Sequence, residues 1–144
     1  LPITEETGER MFAALKTLCD TAQESYLAFQ DAKPDEAILK EFRLLTGNIL
    51  GRAFDPFLAS LMKKFSALTV ERLRERIPLA ASISAKGLMH SVLLQGETFL
   101  AEFSGHARVA EREGLFRHGA LENLAKEIER YKLFFEFAER RNII

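Results

Sequence analysis

Residues 77–110 read IPLAASISAKGLMHSVLLQGETFLAEFSGHARVA, a long run rich in small and apolar residues with few charges. At 100° per residue, Leu88, Val92, Leu93, Phe99, Leu100 and Phe103 gather on one wide apolar arc. Ile83, Gly87, Leu94 and Ala101 form a narrower second arc. The spacing predicts a helix running unbroken from Pro78 to about Ser104, on the order of 40 Å long at 1.5 Å per residue. A helix with so little charge must lie between other helices. The expected fold is therefore all-α: a single-domain bundle of five or six helices around a long central helix, about 78–104. Gly87, Gly96 and Gly105 recur every nine residues. Each costs about 1 kcal/mol relative to alanine in a helix interior, so they predict either close approach of a neighbour or a break.

The flanking segments are also helical in pattern. Met11, Leu15, Leu18, Ala22 and Phe29 recur at three- to four-residue spacing between about Thr4 and Gln30, with Phe12, Cys19 and Tyr26 one position around. Thr4 reads as the N-cap, and Glu5 and Glu6 suit the first turn. Asp31 to Pro34 breaks the pattern, with Pro34 placed for the first turn of a second helix. Its buried face is Ile38, Phe42, Leu45 and Ile49, and Gly47-Asn48 or Gly51 is expected to close it. Asp55-Pro56 starts a third helix carrying Phe57, Leu61, Phe65 and Leu68. Thr69 then caps a short charged segment to Arg76, ended or kinked at Pro78. The last helix is expected from about Gly119 to Arg141, with Leu121, Leu124, Ile128, Tyr131, Phe135 and Ala138 along one face. No segment alternates in the manner of a strand.

Composition narrows the function classes. The chain has 144 residues, 47% of them hydrophobic, and a formal net charge of −1. That length suits one domain with one core. The near-neutral balance offers no field for nucleic acid or anionic membrane. Lys63, Lys64, Arg72, Arg74 and Arg76 make the densest basic group, but Glu71 and Glu75 interrupt it, so nucleic-acid binding is not expected. The stretch from Leu79 to Gln95 holds Lys86 and His90 and is too short and polar to span a membrane. The single cysteine, Cys19, excludes an internal disulfide and fits a reducing compartment. With no secretory signal, the expected location is cytoplasmic. The start at Leu1, and the two branched residues after Asn142, expected to be exposed, suggest one domain of a longer protein.

Candidate chemistry is sparse. Lys86, His90, Glu97 and Ser104 share one narrow arc of the central helix, where His90 could exchange a proton or help bind an anionic group. The alternative is a solvated stripe with an incidental charge pair. Glu102 and His106 lie four apart, but no third ligand accompanies them and no metal site is expected. Nucleophile elbows, phosphate loops and set-apart carboxylate pairs are lacking in the sequence, so no catalytic residue and no cofactor is assigned. Cys19, on the apolar stripe of the first helix, reads as a small buried hydrophobe.

Leu133-Phe134-Phe135-Glu136-Phe137 is the sharper clue. Consecutive large apolar residues cannot all face one side of a helix. Phe134, Phe135 and Phe137 are therefore read as an interface covered by a second chain, the alternative being packing against Leu115 and Phe116. The preferred function is a non-enzymatic regulatory or sensory module, a homodimer that binds a small apolar ligand or a protein partner. The rival is a scaffold or adaptor domain, and the third reading is an enzyme using Lys86, His90 and Glu97.

Overall fold

Thr4 begins the first helix as its sequence predicts: its backbone is extended, and its Oγ1 accepts from the Thr7 N–H at 3.1 Å. The computed structural model describes residues 2–53, 55–67 and 84–144. These contain five helices, α1 (Glu5–Asp31), α2 (Glu36–Ala53), α3 (Asp55–Lys64), α4 (Ala85–Arg112) and α5 (Ala120–Arg140). The described residues include no strand, and the protein is an all-α helical bundle.

Four of the helices close a ring. α1 packs against α4, α4 against α5, α5 against α2, and α2 back against α1, while α3 lies against α1 and α2. Met11, Phe12, Leu15, Leu18, Cys19, Ala22 and Phe29 bury one side of α1 completely. α4, at 28 residues the longest helix, is thus one wall of the ring. Its Leu88, Met89, Val92, Leu93, Phe99 and Phe103 face inward, whereas Lys86, His90, Leu94, Glu97, Ala101 and Gly105 are exposed.

The limits of α4 differ from the sequence pattern at both ends. It starts at Ala85 because Ser84 is an extended N-cap whose Oγ accepts from the Gly87 N–H at 3.1 Å. It then continues eight residues past Ser104, through Gly105, because Ala107 and Ala110 are fully buried and carry the packed face onward. The end is a Schellman motif: the Gly114 N–H bonds to the Glu111 carbonyl (3.1 Å) and the Leu115 N–H to the Ala110 carbonyl (2.8 Å). Gly114 adopts φ +78°, which its missing side chain allows. Of the three spaced glycines, Gly96 fits close approach. A Cβ there would lie 2.5 Å from Ile128 Cδ1, whereas at Gly105 it would meet nothing within 4 Å.

α2 also outruns its glycines, continuing through Gly47, Asn48 and Gly51 to Ala53. The buried Phe42, Thr46 and Ile49 hold it on both sides of Gly47. Pro34 stands just outside the helix, since Asp35 supplies the first carbonyl, accepting from Leu39 N–H at 3.0 Å. α3 starts at Asp55 as expected and stops at Lys64, so Phe65 packs on the core from just beyond its end. The expectations for Leu68, the Thr69 cap, the 70–76 segment, Pro78 and the arginines 72, 74 and 76 lie outside the described residues. α5 ends in a second Schellman motif with Asn142 at φ +56° in the left-handed position. That turn folds Ile143 and Ile144 back onto the core, so neither has the exposure the sequence suggested.

Two polar features tie elements of the bundle together, one buried and one at its surface. Ser25 gives its hydroxyl hydrogen to the Ala22 carbonyl at 2.7 Å, so Tyr131 donates its own to Ser25 at 2.8 Å. Burial pushes the Tyr131 phenol well above its ordinary value, and the Ser25 bond opposes this only in part. At the far end of the bundle, the Glu113 carboxylate joins three segments. It accepts from Lys64 Nζ at 2.7 Å, at the end of α3, and from the Ile3 N–H at 3.2 Å, before α1.

Candidate functional site

The apolar run on α5 is divided among three environments. Phe134 is buried against α2 and α1, stacked on Phe42 with centroids 4.8 Å apart and edge-on to Phe29 at 5.6 Å. Phe135, one residue on and rotated by about 100°, turns toward α4 and lies 6.4 Å from the His90 ring. Phe137 is half-buried between Phe134, at 6.1 Å, and the Arg141 guanidinium, at 5.3 Å. Leu133 remains 56% exposed. Phe116 packs edge-on against Phe57 of α3 at 4.4 Å.

Phe134, Leu133 and Phe137 form one side of an open groove of about 390 Å³, with Arg130 beside them and Glu41 and Leu45 of α2 opposite. Leu44, three residues after Glu41 and so on the adjoining flank of α2, is 60% exposed. The seam therefore exposes leucines on both helices, beside a floor of aromatic carbon. Arg130 is held from beneath. Glu127, only 3% exposed, accepts from Arg130 Nη1 at 3.0 Å and from Asn48 Nδ2 at 3.5 Å. A carboxylate at that depth must be paired to be tolerated, and this pairing fixes Arg130 at the groove edge. The guanidinium is still outward-facing, with 60% of the Arg130 side chain exposed.

The Lys86, His90 and Glu97 stripe lies on the solvent side of α4. Lys86 Nζ is engaged by Glu139 at 3.0 Å and His90 rests beside Phe135, both contacts being to α5. Glu97 is exposed, two turns and about 10 Å along the axis from His90. Those three residues share an edge of the helix, and the structure brings them no closer than the helical spacing does. Glu102 pairs with Arg10 at 3.2 Å, and the His106 ring lies against Phe103. Among the described residues no group of three or more histidine, cysteine or acidic side chains could hold a metal ion. No helix of the described residues is long and apolar enough to cross a membrane.

A second open groove, of about 460 Å³, runs between α1 and α2 and is lined by Gln23, Tyr26, Gln30, Arg43, Thr46 and Gly47. It is polar where the α2/α5 seam is apolar. The sequence pattern pointed to Phe134 and Phe137 but not to Glu41, Leu44, Leu45 or Arg130, because their role depends on α2 lying beside α5. The adjacent leucines 44 and 45 were the available signal, since both cannot face the same core. Compared with known protein families, curated proteins and solved structures, the chain has no significant match.

Proposed function

We propose that this chain is a non-catalytic interaction module that docks a protein partner on the seam between α2 and α5. The observation that carries this reading is the apolar surface there: exposed Leu133 adjoins Leu45, Phe134 and Phe137 around one groove, and exposed Leu44 stands on the next flank of α2. Single exposed leucines, such as Leu27 and Leu94, are ordinary on a protein surface. A contiguous apolar patch rimmed by charge is the usual form of a contact site.

A docked protein accounts for this seam better than an enclosed small apolar ligand. The space between α1, α2 and α5 is occupied by the protein's own Phe29, Phe42, Tyr131 and Phe134 rings, in mutual contact at 4.8–5.6 Å. The proposed regulatory role is to present this face, and the proposed setting is the cytoplasm. The enzyme reading draws no comparable support from the solvent-facing Lys86, His90 and Glu97.

Site-specific photo-crosslinking tests the proposal. A photoreactive residue at position 133 is expected to join one identified partner that also binds the purified chain, and Leu44→Glu is expected to abolish the adduct. The same residue at position 94 is the control. Equal labelling from 133 and 94, or an adduct indifferent to Leu44→Glu, would overturn the reading.

A further inference from the structure

The occupant of the seam is a second copy of this chain: we infer that two molecules pair about a twofold axis through their α2/α5 grooves, a conclusion that rests on the docking reading above. The argument is charge complementarity. The groove carries one acid, Glu41, on its α2 side and one base, Arg130, on its α5 side, and its other lining residues are leucines and phenylalanines. A twofold axis makes every contact occur twice with the partners exchanged. It sets Glu41 against the partner's Arg130 and Arg130 against the partner's Glu41, while each Leu133 enters the apolar groove opposite. The surface is thus its own complement in both charge and hydropathy.

The two charges differ in how they are held, which favours this geometry. Arg130 is braced by the buried Glu127 at 3.0 Å and still exposes most of its side chain, so a second carboxylate can approach it from outside. Glu41 is exposed on the facing helix and makes no ion pair with a described residue of its own chain. A partner of unrelated sequence would have to supply an acid and a base at the matching separation. A second copy supplies them by symmetry.

Sedimentation equilibrium with charge exchange tests the inference. Wild type is expected to reach dimer mass, and Glu41→Arg and Arg130→Glu are each expected to weaken association at least about tenfold by placing like charges together. Mixing these two monomeric variants is expected to restore the dimer mass, because the mixed pair sets the two exchanged charges against each other and leaves the native pair on the other side. Leu133→Glu, a change at an exposed position, is the second variant if Arg130→Glu unfolds beside Glu127. It too is expected to be monomeric, with native circular dichroism. A wild type monomeric at every soluble concentration, or a dimer unaffected by Glu41→Arg and Leu133→Glu, would overturn the inference. Failure of the mixture of folded variants to regain dimer mass would also overturn it. Crosslinking from position 133 to a different protein would do so while leaving the docking reading intact, whereas no specific crosslink at all would remove both.

Discussion

Replacing Gly96 by alanine tests the packing of α4 on α5 at its closest point. The added Cβ would lie 2.5 Å from Ile128 Cδ1, 3.0 Å from Cγ1 and 3.3 Å from Cγ2. Carbon pairs are comfortable at about 3.5–4.0 Å, so the first contact is short by at least about 1 Å. Turning Cδ1 away leaves the Cγ1 and Cγ2 contacts, and χ1 of an isoleucine on a helix is confined to essentially one rotamer. Overpacking of this kind costs about 1–3 kcal/mol, against which alanine returns about 1 kcal/mol of helix propensity. Gly96→Ala should therefore destabilise by about 1 kcal/mol, whereas Gly105→Ala on the same helix, with nothing within 4 Å of its new Cβ, should stabilise by about 1 kcal/mol. Urea unfolding at constant m reads both. The cost of Gly96→Ala should also shrink in an Ile128→Val background, which lacks Cδ1. If Gly96→Ala stabilised as much as Gly105→Ala, or its cost were the same with and without Ile128→Val, the close approach of the two helices would be wrong.

The buried hydroxyl pair should respond asymmetrically. Ser25→Ala leaves the Tyr131 O–H buried without its acceptor and should cost about 1–3 kcal/mol, while Tyr131→Phe removes one bond and leaves Ser25 donating to Ala22, for about 1 kcal/mol. Chemical denaturation showing the reverse order would contradict the assigned donor. Acid stability should report Glu113, whose carboxyl is held below the usual value of 4.5, first by the Lys64 hydrogen bond and then by the Ile3 N–H, with burial opposing. Its folded value lies below its unfolded one, so the stabilisation is complete above about pH 4.5 and disappears as the pH falls through the folded value. Lys64→Met should thus lose up to about 1 kcal/mol at neutral pH, a gap that closes on acidification. A gap independent of pH would contradict this.

The helices were legible wherever local chemistry and packing agree. Thr4 caps α1 ahead of Glu5 and Glu6, and α3 begins at Asp55-Pro56, both where the sequence places a helix start. The misread ends are those where packing overrides a local preference. Gly47 and Gly105 each carry a propensity penalty of about 1 kcal/mol, outweighed by buried neighbours on the inner faces of α2 and α4. The Pro78 start was read from the apolar pattern, which continues across Ser84, whereas the cap bond that begins α4 is visible only in three dimensions. For the same reason, Phe134, Phe135 and Phe137 could be recognised as too many apolar residues for one face. Which of them meets α2, α4 or open groove depends on which helices flank α5.

The chain contains no tryptophan, so a single one placed by substitution reports its own surroundings without background. Leu133→Trp, beside Leu94→Trp as the control on the outer side of α4, therefore measures directly whether the α2/α5 seam is covered in solution. Acrylamide quenching is expected to fall, and emission to shift to the blue, for Leu133→Trp as protein concentration rises, while the indole of Leu94→Trp stays accessible throughout. Equal and concentration-independent quenching in the two variants, across the whole soluble range, would contradict a seam that closes on a second copy.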